Sequence, residues 1–273
     1  MKTTLIITTY NWTTALKTVL LSVLTQQHLP DEIIIADDGS TEETAILIAL
    51  LRPQFSIPII HSWQEDIGFR LSRSRNKAIA LASHDYIILI DGDMVLDKYF
   101  IADHLKIAQP GYFVTGKRVK LGYPLSEQLL QTHKTTSKPL SFFSQGIARG
   151  RELSIRCLWL HKKLSMKSPD SITGIHGCNM AFWRQDAIDI NGFNAEFEGW
   201  GPEDQEFAQR LINLGRRRKT AKFYAVAYHL AHQENCRKNL GRNEKRLKHI
   251  QMSKSIACTL GLNEFVQKKA DLK

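Results

Sequence analysis

Between Tyr86 and Met94 the chain reads Tyr-Ile-Ile-Leu-Ile-Asp-Gly-Asp-Met, and this stretch restricts the fold more than any other. An unbroken apolar run rich in β-branched residues marks a strand buried on both faces, as in a parallel sheet covered by helices. The run stops at two carboxylates separated by one glycine, Asp91 and Asp93. Hard oxygen ligands therefore stand at the carboxyl edge of a sheet, where open α/β sheets take their ligands. Such a pair suits Mg²⁺ or Mn²⁺ and, through the ion, a diphosphate. Taken alone, the Asp-Gly step also reads as an ordinary turn.

The surrounding sequence supplies the rest of such a sheet. Strand patterns fall at 5–10, 32–36 and 58–63, and helix-spaced apolar residues at 13–26, 41–51 and 72–82, with Thr13 as an N-cap. Repeated β-α-β units imply a mostly parallel sheet with helices on both faces. Beyond Tyr112 the alternation fades. One strand is expected at 112–119, followed by a polar, basic and irregular stretch over 125–171 with one amphipathic helix at 153–164. Order is expected to return over 173–182, with helices at 184–190 and 203–214, a last strand at 222–229 and a terminal helix at 243–259.

With 273 residues, 43% of them hydrophobic, the chain can bury a full α/β core. Cys157, Cys178, Cys236 and Cys258 show neither metal-ligand spacing nor a disulfide framework, so a reducing compartment is expected. The apolar part of the N-terminus is too short for a signal peptide and reads as a first strand, and no apolar run is long enough to span a bilayer. The net charge of +10 is uneven. Residues 117–168 hold 11 Lys and Arg against 2 Asp and Glu, and residues 216–273 hold 15 against 4, so the remainder is acidic. Basic surfaces of this kind suit anionic lipid, anionic glycan or nucleic acid, or are solvated lysines that keep a protein soluble.

Five further motifs fall at compatible places. The first strand ends in Thr9-Tyr10-Asn11 and the second in Asp37-Asp38-Gly39-Ser40, which aims polar groups at one crevice. Arg70, Arg73 and Arg75 lie at the start of the helix that precedes the Asp-Gly-Asp strand, a setting that favours phosphate. Downstream, Gly199-Trp200-Gly201-Pro202-Glu203-Asp204 sets an indole beside two carboxylates at a helix start, where one carboxylate would suffice as a cap. Tyr228-His229-Leu230-Ala231-His232 offers a strand-end histidine to a metal site begun by the aspartates.

In this order the motifs resemble the family 2 glycosyltransferases, inverting enzymes with the GT-A fold, an α/β architecture with a Rossmann-like, mostly parallel sheet flanked by helices. The Trp-Gly-Pro-Glu-Asp element also resembles the galactosyltransferase-type segment of bacterial chondroitin-type polymerases and animal β1,4-galactosyltransferases. The resemblance implies one domain, with residues 1–116 as the nucleotide-sugar half and residues 117–273 as the acceptor and catalytic-base half. The second half would carry a basic insertion at about 120–171 and a C-terminal helix. It further implies that Thr9, Tyr10, Asn11, Asp38, Arg70, Arg75, Asp91, Gly92 and Trp200 contact the donor. Asp38 would reach the uridine and Asp91 the ribose. Asp93 would be the principal metal carboxylate, with His229 as the late metal ligand and His232 as its rival. Asp204 would be the base, with Glu203 as its acceptor-binding neighbour.

The expected reaction is transfer of a sugar from a nucleotide diphosphate donor, a UDP-hexose or UDP-N-acetylhexosamine, to a hydroxyl of a glycan or lipid-linked glycan, with Mn²⁺ or Mg²⁺ as cofactor. The resemblance points to bacterial lipopolysaccharide or capsular polysaccharide assembly, in the cytoplasm or at the inner face of the membrane. A nucleotidyltransferase would show a Gly-rich basic loop after the first strand, where Thr-Tyr-Asn-Trp stands. A nucleic-acid-binding protein would interleave basic residues with exposed aromatics, whereas the motif-bearing half is acidic. An inactive sugar-nucleotide-binding module is the remaining alternative. The stripe Leu153, Cys157, Leu160 and Leu164, with Arg156, Lys162 and Lys163 nearby, has the pattern of an interfacial helix; the competing expectation is that it packs on the catalytic domain.

Overall fold

The computed structural model describes residues 1–133, 140, 142–166, 170–233 and 236–270. Among them, β1 (Thr3–Thr9), β2 (Glu32–Asp37), β3 (Ile59–Trp63) and β4 (Tyr86–Asp91) alternate with α1 (Thr13–Leu24), α2 (Glu42–Leu51) and α3 (Leu71–Leu81). Then follow β5 (Met94–Leu96), α4 (Phe100–Ile107), β6 (Tyr112–Thr115), β7 (Val119–Leu121), α5 (Tyr123–Thr132), β8 (Ile147–Arg149) and α6 (Leu158–Leu164). The chain continues through β9 (Asn179–Trp183), α7 (Arg184–Asp189), α8 (Glu203–Asn213), β10 (Arg217–Thr220), β11 (Ala227–His229), α9 (Leu240–Ser253) and α10 (Asn263–Ala270). No helix among the described residues is long and apolar enough to cross a membrane.

The main sheet has seven strands in the order β10-β6-β9-β4-β1-β2-β3. β9 runs antiparallel to both its neighbours, while the other pairings are parallel. Side chains alternate across β1. Leu5 and Ile7 join α1, α2 and α4 on one face, and Ile6 joins α3, α7 and α8 on the other. Each fully buried leucine or isoleucine contributes about 1.5–3 kcal/mol, and β1, β2 and β4 are lined with them on both faces. That double burial explains why these strands read as continuous apolar runs.

A second sheet, ordered β5-β11-β7-β8, builds out from the carboxyl end of β4. β11 pairs antiparallel with β5, setting His229 opposite Met94, and the amide of Leu230 donates to the Asp93 carbonyl at 3.0 Å. This is how a histidine 136 positions downstream reaches the Asp-Gly-Asp turn.

Several expected elements are divided, each for a local reason. The 112–119 strand breaks at Gly116, where an added Cβ would lie 2.0 Å from the Asn179 side chain, and the chain crosses there from one sheet to the other. The 222–229 strand is reduced to β11, because left-handed backbone at Phe223 and Ala225 interrupts it, and β10 precedes it at Arg217–Thr220, where no strand was expected. The 153–164 helix is a 3-10 turn at Arg151–Ser154 and a separate α6. Between them Arg156 swings to Asp103 with bonds of 2.8 and 2.6 Å, and Cys157 N–H donates to the Phe223 carbonyl at 2.9 Å. The stretch expected to be irregular also contains α5. The terminal helix ends at Ser253, with Lys254 left-handed, and α10 follows. Thr13 is not a cap: Trp12 occupies that position, and no side chain caps α1. Part of the basic segment, residues 134–139, 141 and 167–169, lies outside the described residues.

Candidate active site

The carboxyl ends of β1, β2 and β4 open into a cleft of 1360 Å³ that runs across to the start of α8 and to α9. Parallel register lines up its floor. Thr8 stands beside Asp91, and the Thr8 hydroxyl donates to Asp91 Oδ1 at 2.9 Å. Gly92 makes the turn possible, because a Cβ there would lie 2.5 Å from the Thr8 carbonyl oxygen.

On the β2 side, Asp38 is buried, and its carboxylate accepts bonds from Gln64 Nε2 at 2.6 Å and the Arg70 amide at 2.8 Å. Burial nevertheless pushes its pKa up to about 6. The Tyr10 hydroxyl donates to Asp66 at 2.9 Å across the mouth of the cleft. Thr9 and Arg70 also line it, and the Arg70 guanidinium donates to the Glu65 carbonyl at 2.9 Å. Asn11 does not line the cleft. Its amide donates to Ser40 Oγ and its side-chain oxygen accepts from the Thr41 amide, which ties the end of β1 to the start of α2.

Asp93 meets two imidazoles. Its Oδ2 lies 3.4 Å from His229 Nε2 and 3.2 Å from His232 Nε2. Ligand atoms of the three residues all fall within 4.8 Å of one another, and Asp93 Oδ1 is buried with no hydrogen-bond partner. A buried, orphaned carboxylate oxygen beside two ring nitrogens fits a divalent cation. The two histidines differ. The bond to Asp93 raises the pKa of His232, whereas burial lowers that of His229. Trp12 packs edge-on against His232, with ring centroids 5.7 Å apart.

Facing this cluster, Glu203 and Asp204 open α8. Asp204 accepts bonds from the amides of Gly177 and Gln205, both at 2.7 Å. Burial raises the pKa of both carboxyls, and Arg75 opposes the shift. Arg75, with its side chain 2% exposed, bridges Glu203 at 3.0 Å and Asp91 at 3.2 Å, and lies over the Phe193 ring at 5.0 Å. An arginine expected to meet phosphate is thus committed to two carboxylates, and it joins the strand-end acid to the helix-start acid.

Trp200 borders the cleft with the Arg237 guanidinium 4.8 Å from its ring centre. Its loop is propped from behind by α9: Asn243 Nδ2 donates to the carbonyls of Glu198 and Trp200 at 3.1 and 3.2 Å. Gly201 leaves the room, since a Cβ there would lie 2.6 Å from Asn243 Nδ2.

The sequence reading missed Thr8, Gln64, Arg118, His176 and the Gly177 amide. Residues 173–178 form turns that bring His176 and Gly177 to the cleft, and β9 starts at Asn179. Burial and the neighbouring Arg118, Lys117 and Lys120 push His176 down to about 4, so it is neutral at pH 7. Strand register was the one available signal, and it would have found Thr8 opposite Asp91.

Comparison with known proteins agrees with this arrangement. The family model described as Glycosyl transferase family 2 matches residues 4–190, and that described as the N-terminal domain of galactosyltransferase matches residues 160–233. Hyaluronan synthase of Pasteurella multocida is 28% identical over 240 residues, covering 82% of this chain and 24% of the relative. Chondroitin synthase of Escherichia coli is 25% identical over 243 residues, covering 82% of this chain and 34% of the relative. The chain therefore spans about a quarter to a third of the length of these two relatives. Among solved structures, S. aureus TarS 1-349 superimposes with a TM-score of 0.61 at 15% identity, over 97% of this chain and 68% of that one. The mannosyltransferase PcManGT from Pyrobaculum calidifontis, in complex with GDP-Man and Mn²⁺, gives 0.58 at 18% identity, over 85% of this chain and 58% of that one. The fold is GT-A, and with more than half of its length matched by the family model, the chain belongs to glycosyl transferase family 2.

Proposed function

We propose that the protein transfers a sugar from a UDP-sugar to a hydroxyl of a glycan acceptor, inverting the anomeric centre, in the assembly of a bacterial polysaccharide or lipopolysaccharide at the cytoplasmic face of the membrane. One observation carries this reading: the Asp93–His229–His232 cluster and the Glu203–Asp204 pair open into one cleft, and Arg75 ties the two sides together. Similarity to hyaluronan and chondroitin synthases supports the polysaccharide setting.

Asp38, at the end of β2, accepts from the uracil ring, and Tyr10 closes over the nucleoside. Asp93, His229 and His232 would hold a divalent cation, and their two imidazoles suit Mn²⁺ better than Mg²⁺. When bound, the cation neutralises charge on the departing diphosphate. Trp200 offers an apolar face to a sugar ring, and Glu203 binds an acceptor hydroxyl. Asp204 takes the proton of the attacking hydroxyl as that oxygen bonds to the anomeric carbon. The bond from that carbon to the diphosphate breaks on the opposite face, so one displacement inverts the centre. A buried carboxylate is a stronger base than an exposed one, which is what the raised pKa of Asp204 provides.

The test is nucleotide release from a panel of UDP- and GDP-sugars with oligosaccharide acceptors, with product configuration read by NMR. A product of the opposite anomeric configuration from a UDP donor supports the proposal. Retention, or release from GDP donors alone, overturns it.

A further inference from the structure

A second cavity, of 640 Å³, shares no residue with the cleft. It lies between the end of α4, the start of β6, β10 and α6. Lys106, Lys162 and Lys219 line it, and among the described residues no acidic side chain does. Lys219 donates to the Ile107 carbonyl and to Gln109 Oε1 at 3.2 and 2.6 Å and lies over the Tyr112 ring at 4.8 Å, which fixes its ammonium in the cavity wall. His161 stacks on Tyr224 with ring centroids 4.8 Å apart; it is buried in the cavity wall, and its Nδ1 has no partner. Asp103 is the acid on the neighbouring helix, and Arg156 already engages both its oxygens. The cavity is therefore a cationic pocket with no acidic side chain of the described residues in its wall.

Its rim is apolar. Leu158 and Met166 border the pocket, and Leu158 is 50% exposed. Trp159, 66% exposed, stands next to it with Lys163 over its ring at 5.3 Å. The stripe read from the sequence is not the exposed one. Leu153, Cys157, Leu160 and Leu164 are partly buried, and the outward face belongs to Ile155, Leu158 and Trp159.

Large apolar side chains held in water around a cationic hollow match an interface whose outer layer is anionic phosphate and whose inner layer is hydrocarbon. We propose that α6 and this pocket form a docking site for anionic membrane lipid, with the lipid phosphate between Lys106, Lys162 and Lys219 and with Leu158, Trp159 and Met166 entering the acyl boundary. The site is independent of the sugar-transfer reading, because neither surface uses a residue of the other.

Co-sedimentation with vesicles of phosphatidylcholine, with or without phosphatidylglycerol, tests this on the full chain. Binding is expected only with phosphatidylglycerol, and it falls as salt rises. Lys106→Ala with Lys162→Ala should weaken partitioning by roughly 30-fold, at about fivefold per lysine. Trp159→Ala should weaken it further, and brominated lipid should quench fluorescence that Trp159→Phe removes. Both sets of variants should keep the wild-type Tm and UDP affinity. Lys245→Ala with Lys248→Ala, on exposed positions of α9, should change nothing. Equal loss from the α9 pair would mean diffuse attraction and overturn the pocket. So would absence of vesicle binding, or Lys106-dependent binding of glycerol phosphate in solution by a protein that ignores vesicles.

Discussion

Asp204 accepts a 2.7 Å hydrogen bond from the amide of Gly177, a residue 27 positions earlier on a turn that also lines the cleft. With the Gln205 amide on the other oxygen, the carboxylate is fixed at both ends before any acceptor arrives. In the proposed mechanism, a base whose direction is set in advance avoids reorganisation at the moment of attack. Asp204→Asn should lower turnover by about 10²–10⁴-fold. An amide also has one acceptor for two backbone donors, so a local cost of about 1–3 kcal/mol is expected in unfolding. Calorimetry should find UDP binding close to wild type. Near-normal turnover in the variant would move the base elsewhere.

Asp93→Asn should remove the cation dependence of UDP binding, because it discharges the group that both imidazoles face. His229→Ala and His232→Ala should each weaken Mn²⁺ affinity by at least about tenfold, the loss that even an outer-shell change brings. Titration of the apoprotein with Mn²⁺ and Mg²⁺ checks this, with Mn²⁺ binding tighter. If one histidine variant binds like wild type, that residue is not a ligand. Chelation should abolish nucleotide affinity in the wild type.

Replacing Arg75 with methionine keeps the bulk over Phe193 but leaves Asp91 and Glu203 without their shared cation. Breaking a buried pair costs about 3–5 kcal/mol, and the low end applies because Asp91 is 30% exposed. Urea unfolding measures the loss. Arg75→Lys keeps the charge, reaches only one carboxylate, and should fall between the two. Unchanged stability in the methionine variant would show that the bridge contributes only to the site.

Asp38 should make UDP binding pH-dependent. Burial raises its pKa from 3.8 to about 6, so between those values the folded chain holds a proton that the unfolded chain has released. Stability of the free protein therefore falls as pH rises through that window and levels off above it. Ligand binding has the opposite sign. On the proposed reading the ionised carboxylate accepts from uracil N–H, so UDP affinity should rise as pH rises through about 6, with a proton released on binding. Calorimetry in buffers of different ionisation enthalpy reads that proton directly. Asp38→Asn should flatten the profile, and a wild type with no proton release would assign the nucleoside contact to another group.

The first four strands and three helices were legible because their signals are local. Ile33 to Ile35 and Ile87 to Ile90 are buried on both faces, and the polar breaks between them fall at sheet ends. The second half was harder to read because distant polar contacts shape it. Arg156 bends the chain toward Asp103, Arg218 donates to Thr115 Oγ1 and to the carbonyls of Ser171 and Thr173, and Asn179 bonds to His104. None of these leaves a periodic trace. The carboxylates of the site stood out as motifs, but the commitment of Arg75 did not. A basic residue near a helix start looks the same whether it meets a phosphate or is buried between two acids. The choice between His229 and His232 stayed open in sequence for a reason the geometry explains, since both reach Asp93.

The position of β9 has a consequence for how the chain is made. β9 fills the place between β4 and β6, so the edge of β4 lacks its partner until residue 183 has left the ribosome. At about 5–20 residues per second, synthesis of the stretch from Asp91 to Trp183 takes roughly 5–20 s. Through that interval an open strand edge of Ile, Leu and Tyr waits next to a half-built sheet, and such edges recruit other chains. Sequence changes that delay β9, or fragments that stop before it, should therefore be lost to aggregation even where the nucleotide crevice itself is intact.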